Sequence, residues 1–529
     1  MNKNTESGNL QKLINIGRAL SREKNISILL EKILIEARNI SNSDGGTLYL
    51  IKDDNRLNFE IMHNESKNIF YGGSSEKVPD YFYPVKLYVD GNPNLNSVSA
   101  VCALEAKTIN IKDAYTDKKY DFSGPKGFDK KHNYYSQSFL NVPLTNHKEN
   151  VIGVLQLLNA KNEDGITYYS NEIVSLVESL ASQASIALTN QLLIEEQKLL
   201  FKSFIQLVAE ALEKKDKVTG GHCTRVPMLT MMIAESINAT MVEPYKKFNF
   251  TDDEMEELYV AGWLHDFGKV ATPEHVMNKS TKLECLFDKI DLILLRFELL
   301  KKEIKIEYYE SILKIENNID KNNLELKEKL IKIDDDAKFL KDCNLGGEFL
   351  SEKMKDRIER IANQKINING VLTRFLSKDE ENNLKISRGT LNENDIKIMQ
   401  DHVSLSYELL NKLPYPNHLK QVPFYAGCHH EKINGSGYPN GYSGDKLPLQ
   451  ARVIAIADVF EGLTAPDRPY KKGYKLSKAM NILKYMVQNE EIDRDLFNLF
   501  ITEKLYLKYA KDNVDSSQID EINESELLI

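Results

Sequence analysis

Residues 429–439 read HHEKINGSGYP. Two adjacent histidines lead into a glutamate and then into a glycine-spaced turn that ends in Tyr438 and Pro439. Neighbouring side chains point about 100° apart on a helix and to opposite faces of a strand. Two imidazoles side by side can therefore serve one centre only where the backbone bends. Gly435, Gly437 and Pro439 follow directly, and glycine lets backbone come close to a ligand.

Three more of the ten histidines occupy similar short clusters: His222 in TGGHCTRV, His265 in WLHDFGK and His402 in MQDHVSL. Asp266 follows His265, and Asp458 lies in the apolar run ARVIAIADVFEGL. As a helix, that run buries Ile454, Ala455 and Val459 and turns the Asp458 carboxylate inward. Burying an unpaired carboxylate costs on the order of several kcal/mol. A metal ion offsets that cost, and so does an arginine, for which Arg452 and Arg468 are available. His265 and Asp266 end a helix that carries Leu258 and Trp263 on its apolar face, with Gly268 as the stop. At a helix end two consecutive side chains can converge. A carboxylate has two oxygens, so Asp266 can bridge two ions that imidazoles cap. Five histidines and two aspartates in apolar or glycine-rich settings favour a dinuclear site.

The 529 residues exceed what one core organises, and roughly two to four domains are expected. Hydrophobic content of 42% with 28% charged residues is that of a soluble globular protein. A net charge of −9 argues against non-specific binding to a nucleic-acid polymer, while a local basic pocket could still take an anionic small ligand. Cys102, Cys223, Cys285, Cys343 and Cys428 are odd in number and form no CxxC pair, as expected of free thiols in a reducing cytosol. Cys223 and Cys428, beside histidines of interest, read as packing thiols. The N-terminus lacks the apolar core of a signal peptide, and no membrane-length apolar run occurs. A cytoplasmic protein is expected.

Residues 1–190 read as an α/β unit. A helical pattern covers Leu30–Ile40, and GTLYLI and LNFEIM form neighbouring strands across KDDNR. SFLNVPL and VIGVLQLLNA are further strands, whereas YTDKKYDFSGPKGFDKKHNYYSQ reads as loop. Helical periodicity then runs from Glu172 to Glu213, with residues 191–214 as a linker helix. Such a helix can transmit rotation or strain, because it does not bend without a breaker, or it can zip against a partner chain. Residues 285–385 carry Ile290, Leu294, Phe297, Leu300 and Ile304 at helical spacing, with no proline from Glu274 to Leu413. They are expected to form two or three long amphipathic helices, arranged as a hairpin, without chemistry of their own.

Two resemblances sharpen this reading. SFLNVPLTNHKENVIGVLQLLNAKN and EIVSLVESLASQASIALTNQLL resemble a GAF domain, which implies either a sensor that binds an unknown small molecule or a purely structural dimer module, in a chain that forms a homodimer. Members that bind cyclic nucleotides carry an Asn-Lys and a downstream Asp-Glu pair; here Asn159-Ala160 and Asn171-Glu172 stand instead. The order His222, His265-Asp266, Asp458 resembles the HD superfamily of metal-dependent phosphohydrolases. HDFGK, His402, HHEKINGSGYPNGYSG and DRPYK are similar to its HD-GYP subfamily over residues 210–284 and 386–490.

The resemblance implies an all-α HD-GYP domain in 215–284 and 386–529, interrupted by a helical insertion in 285–385. It implies hydrolysis of the bacterial second messenger cyclic di-GMP to linear pGpG or GMP, regulated by the GAF domain. Hydrolysis of another cyclic dinucleotide, or binding without turnover, stands as the alternative. Two divalent ions, iron or manganese, would be held by His222, His265, Asp266, His402, His429, His430 and Asp458. They would supply hydroxide near neutral pH and neutralise the phosphoryl oxygens. Asp266 and Lys269 would be catalytic, and Lys269, Arg468, Lys471, Gly437 and Tyr438 would bind the substrate. Some members hold a third metal through a glutamate four residues before the first histidine; Val218 stands there, so two ions are expected. The segment from Asp266 to His402 is much longer than is usual in the family, and one extra residue separates Asp458 from Arg468.

Overall fold

The computed structural model describes residues 3–52, 55–215, 221–314, 319–347, 349–368, 370–466 and 473–529. They fall into two compact units, Met1–Phe201 and Lys202–Ile529.

The first unit opens with α1 (Lys3–Arg22) and α2 (Ile26–Ser41), followed by β1 (Ser43–Lys52), β2 (Arg56–Asn64), β3 (Ile69–Tyr71) and β4 (Val85–Lys86). A small ribbon of β5 (Tyr88–Val89) and β6 (Asn92–Pro93) precedes α3 (Val98–Glu105), β7 (Ile109–Ile111) and α4 (Ser123–His132). The unit's strands end with β8 (Phe139–Thr145), β9 (Val151–Asn162) and β10 (Gly165–Thr167), and α5 (Asn171–Lys215) follows. The main sheet is antiparallel in the order β3-β2-β1-β9-β8-β7, with β4 on β2 and β10 on β9. Leu48 faces both Ile61 and Leu155, so the alternating apolar residues of three strands meet on one face. There they pack with Leu20 of α1, Leu29, Ile33 and Leu34 of α2, and Leu180, Ala184 and Leu188 of α5. Tyr49, Leu57 and Val154 pack with Ala100 and Cys102 of α3 in a second cluster.

The stretch expected as loop contains α4, and that expectation is corrected. Its anchor is polar: buried Asp129 accepts hydrogen bonds from Tyr115 Oη (2.7 Å), Ser136 N (2.8 Å) and Ser136 Oγ (2.7 Å). A helix tied down by a carboxylate leaves no apolar stripe for periodicity to detect. Helix α5 runs without interruption, as its periodicity predicts.

The second unit places α6 (His222–Ala239), α7 (Asp252–Leu264) and α8 (Glu274–Met277) ahead of a segment with its own core. In that segment α9 (Ile290–Lys314) packs on α10 (Ile319–Asn344), the expected hairpin, and α11 (Glu352–Ala362) follows. A β-hairpin, β11 (Lys365–Ile368) with β12 (Val371–Arg374), then interrupts the helices, so the segment is not wholly helical as expected. The signal was present: Asn369-Gly370, a two-residue hairpin sequence, lies between β-branched runs. After α12 (Lys378–Leu384) come α13 (Glu393–Leu410), α14 (Val422–Ala426), α15 (Leu449–Thr464), α16 (Leu476–Gln488), α17 (Arg494–Thr502), α18 (Leu505–Asn513) and α19 (Glu524–Leu527). Helix α6 packs on both α7 and α15, which brings His222, His265 and Asp458 together. No helix among the described residues is long and apolar enough to cross a membrane.

Phe297 and Phe375, with ring centroids 4.5 Å apart, join α9 to the end of the hairpin, and three cations hold the neighbouring α12. Buried Glu381 pairs with Arg374 (3.0 Å), Lys378 (3.1 Å) and Lys385 (2.8 Å). Burial raises its carboxyl pKa, but Lys385, Lys378 and Arg374 outweigh that and bring it to about 2. A carboxyl with a depressed folded value stabilises fully above its unfolded pKa of about 4.3 and loses that contribution as pH falls toward 2. Glu381→Gln is therefore expected to destabilise this unit by on the order of 1–3 kcal/mol at pH 7 and by progressively less below pH 4. Calorimetric unfolding of both proteins between pH 7 and 3 measures this; parallel curves refute it.

Candidate metal centre

His222 is the first residue of α6, turned in by Gly221 at φ +80°. His265 caps the C-terminus of α7, and Asp266 begins the 3-10 turn Phe267–Ala271. His402 comes from the middle of α13, whose start is set by a capping box between Asn392 and Asp395. His429 and His430 follow the end of α14, with ring centroids 4.2 Å apart. The bend inferred from sequence is this helix end.

Asp266 is the hub. Its Oδ2 lies 3.3 Å from Nε2 of both His222 and His265. Its Oδ1 lies 3.2 Å from His402 Nε2 and 3.9 Å from His429 Nε2. Asp458 joins the first group, with Oδ1 3.3 Å from His222 Nε2 and 3.9 Å from His265 Nε2. Two donors that share an ion at about 2.1 Å each stand about 3.0–3.5 Å apart, which these separations approach. Ligand atoms of His222, His265 and Asp266 lie within 4.8 Å of one another, and so do those of His402, His429 and His430. The donor set suits divalent cations, and its orientation is prepared. His265, His402 and His429 each donate Nδ1–H to the carbonyl three residues back, of Gly262 (2.7 Å), Met399 and Ala426 (2.6 Å). That leaves Nε2 as the bare lone pair, and Nε2 of His402 and His429 is buried without a hydrogen-bond partner.

Electrostatics keep the two carboxylates ionised and the His429 and His430 rings neutral, while His222 is held toward its charged form. Burial and the neighbouring His430 and His265 hold His429 well below its usual pKa, and burial takes His430 to about 4, so both rings are neutral at pH 7. Burial alone would raise Asp266, but Lys269, His265 and His222 overcome it and keep the carboxylate ionised. Asp458 is likewise held low against burial by His222. His222 is raised against burial by hydrogen bonds to Asp266, Asp458 and Glu461. Arg452 is no partner for Asp458: it pairs with Asp493 at 3.0 Å and donates to Leu447 O and Gly444 O. Along α15, Ile454 is buried as expected, while Ala455 and Val459 are only half-buried.

Lys269 Nζ sits 2.8 Å from Asp266 Oδ2. Tyr438 stacks on His430 with centroids 4.9 Å apart. Gly437 is required for packing: a Cβ there would lie 2.5 Å from Glu431 Cα and 2.6 Å from His430 O. Gly268 is not the left-handed helix stop expected. A Cβ on it would lie 1.9 Å from His402 O, so glycine allows the turn after Asp266 to close onto α13. Cys223 and Cys428 are buried thiols with pKa pushed up by burial to about 12, which fits packing. Arg468, Lys471 and Val218 lie outside the described residues. Asn159 is occupied internally, donating to Tyr134 Oη (2.9 Å) and Tyr135 O (2.7 Å), and Asn171 starts α5.

Several supporting residues escaped the sequence reading. Glu461, wholly buried one turn after Asp458, accepts from His222 Nδ1 and from Arg225 Nε at 2.8 Å. Glu431 accepts from Asn440 N (2.8 Å) and Tyr442 N (3.0 Å), pinning the glycine loop. At the end of α5, Glu213 accepts from Cys223 N (3.2 Å), beside His222, while Lys215 Nζ donates to Val270 O and to Thr272 O at 2.9 Å, just past Asp266. A glutamate or arginine three residues from a ligand was the available signal for Glu461 and Arg225, since both share the ligand's helix face.

Glu461→Gln should weaken divalent-ion affinity about 10–100-fold, because His222 loses the carboxylate that fixes its tautomer. Chelator competition with manganese, alongside an unchanged far-ultraviolet circular dichroism spectrum, measures it. Undiminished affinity would show that Glu461 merely fills space.

Residues 23–189 match the GAF domain family model, and residues 219–343 and 379–496 match two HD domain models. Over 95 residues the chain is 38% identical to the 3'3'-cGAMP-specific phosphodiesterase 3 of Vibrio cholerae, covering 18% of this chain and 20% of that one. Over 96 residues it is 41% identical to the cyclic di-GMP phosphodiesterase response regulator RpfG of Xanthomonas campestris, covering 18% and 25%. The chain thus spans only a fifth to a quarter of these relatives' lengths. The crystallised GAF domain of an Acinetobacter phosphoenolpyruvate-protein phosphotransferase aligns with 36% of this chain and 97% of its own, at 14% identity and a TM-score of 0.26. The chain carries a GAF-like α/β domain followed by a helical HD domain region.

Proposed function

We propose that the chain is a cyclic-dinucleotide phosphodiesterase that uses two divalent ions, iron or manganese, and is regulated by its GAF domain. Cyclic di-GMP is the proposed substrate and pGpG or GMP the product. The observation that carries this reading is the Asp266 carboxylate, with one oxygen toward His222 and His265 and the other toward His402 and His429. When bound, such ions lower the pKa of water and take up charge that builds on phosphoryl oxygens. The chain's own residues do the rest. Asp266 supplies the shared carboxylate, and Asp458 completes the group around His222. Lys269 steadies the Asp266 charge and places a cation beside the reacting phosphate. Tyr438, seated on His430, and the loop pinned by Glu431 form a wall for the nucleotide. Arg468 and Lys471 contribute phosphate contacts by their place in the DRPYK motif.

Regulation has a physical route in α5. The helix contributes Leu180 and Ala184 to the sensor's core, and its last turn bonds to the segments bearing His222 and Asp266. A second reading, hydrolysis of 3'3'-cGAMP, is favoured by the likeness to the Vibrio cholerae 3'3'-cGAMP-specific phosphodiesterase. Both readings keep the same site and differ only in the bases recognised.

Asp266→Asn and His265→Ala are each expected to lower turnover by about 10³-fold or more while leaving the fold intact. Chromatography of products from cyclic di-GMP and 3'3'-cGAMP, with manganese- and iron-loaded protein, measures both rate and preference. Full activity of either variant would refute the site; tight binding without hydrolysis by the wild type would make the chain a receptor.

A further inference from the structure

Helix α9 has two apolar faces. Ile293 and Phe297 are buried in the core of the inserted segment, with Leu300 and Ile304 packed against it. On the other side Leu292, Leu295, Leu299, Ile306, Tyr309 and Leu313 are 43–86% exposed. At about 100° per residue the two faces point roughly 160° apart. The helix that packs on α10 with one face therefore offers the other to solvent.

The exposed face keeps a strict heptad. Leu292, Leu299, Ile306 and Leu313 occupy its a position, and Leu295, Lys302 and Tyr309 its d position. A repeat of 3.5 residues holds such a seam on one side of a helix and is the pattern of a coiled coil. From residue 292 to 313 the seam is about 32 Å long. Single exposed leucines are ordinary, whereas a continuous apolar stripe rimmed by charge marks an association surface.

Charges beside the seam select both the partner and its direction. Arg296 and Glu303 flank it at e, and Glu298 and Lys305 at g. In an antiparallel pair of α9 helices, setting Leu299 against Lys302 of the second copy also sets Leu292 against Tyr309 and Ile306 against Leu295. The two-fold axis repeats each contact. Arg296 then meets Glu303, and Glu298 meets Lys305, so every one of these flanking contacts joins opposite charges. Sliding one copy by a heptad puts Arg296 on Arg296 and Glu298 on Glu298. Sliding it the other way puts Glu303 on Glu303 and Lys305 on Lys305. A parallel pair in register brings Glu298 against Glu303 twice and sets Lys302 against itself. One alignment alone is free of like-charge contacts.

The groups involved have capacity for this. Arg296 donates to Phe375 O (3.0 Å) and, through both terminal nitrogens, to Glu380 (2.8 and 2.9 Å), which uses three of the five N–H donors of a guanidinium. Glu298 pairs with Lys301 of its own helix, and a carboxylate accepts more than one bond. A lipid surface fits less well, because Glu298, Glu303 and Glu310 rim the seam where an anionic bilayer needs lysine and arginine.

We propose that α9 pairs antiparallel with α9 of a second copy of this chain through the seam at 292–313, making the inserted segment an interface between chains. Lys302 within the seam gives up affinity and fixes the register. The inference is independent of the phosphodiesterase reading and concerns a surface other than that of α5.

Sedimentation equilibrium of the full chain between about 1 and 100 μM tests it. Ile306→Glu, which puts a carboxylate into two layers of the seam, should weaken one association step at least about a hundredfold. Ile306 is exposed in the single chain, so the far-ultraviolet circular dichroism spectrum should not change. Glu298→Lys should weaken the same step about tenfold, and Glu298→Lys combined with Lys305→Glu should restore it. Direction is read from disulfides. The remaining native cysteines are buried once Cys285→Ser removes the exposed one. In that background, mixed Leu299→Cys and Lys302→Cys chains should link 299 to 302 in preference to 299 to 299. The proposal fails if no association step responds to Ile306→Glu, if Glu298→Lys strengthens association as a parallel pair requires, or if the double reversal does not recover it. It fails equally if Ile306→Glu alters only binding to phosphatidylserine vesicles.

Discussion

A carboxylate taken out of water governs the second unit. Asp266 is buried, and a lone buried charge is among the most expensive things a fold can contain. Here it is surrounded: four imidazole nitrogens and the Lys269 ammonium lie within 3.9 Å of its two oxygens. Removing it would leave those groups without the negative charge they are arranged around. The packing of α6 on α7 and α15, and of the turn after Asp266 on α13, are the conditions under which that carboxylate can be buried at all.

The supporting bonds repeat one device. Three histidines each donate Nδ1–H to a carbonyl three residues back, so a single helical or near-helical turn both selects the tautomer and aims the other nitrogen. His222 is the first residue of its helix. Glu461 from α15 accepts from its Nδ1 instead, and Arg225 neutralises Glu461. Ser406 ties the remaining joint, donating to His265 O (3.1 Å) and accepting from Gly268 N (2.7 Å). The position of Gly268 follows from that closeness, because no side chain fits between the two segments.

The chain buries histidines in two different ways. Around Asp266, Nδ1 of His222, His265, His402 and His429 is committed to a carbonyl or carboxylate. In the first unit His63 is as deeply buried yet uncommitted.

Much of this was legible in the residues alone. The clustered histidines, the inward aspartate of ARVIAIADVFEGL and the unbroken periodicity of α5 are local patterns, and local patterns survive in one dimension. Helix α4 and the β11–β12 hairpin were missed because the first is anchored by buried Asp129 and the second is only a few residues long within a helical block. Glu461, Arg225, Lys215 and Glu213 were missed because their roles exist only across elements far apart in the chain. Residue type and spacing determined which groups could ligate an ion. Tertiary packing alone decided which two oxygens of Asp266 face which histidines, and that His63 keeps both nitrogens bare, because hydrogen bonds and desolvation depend on what a fold brings within about 3 Å of an atom.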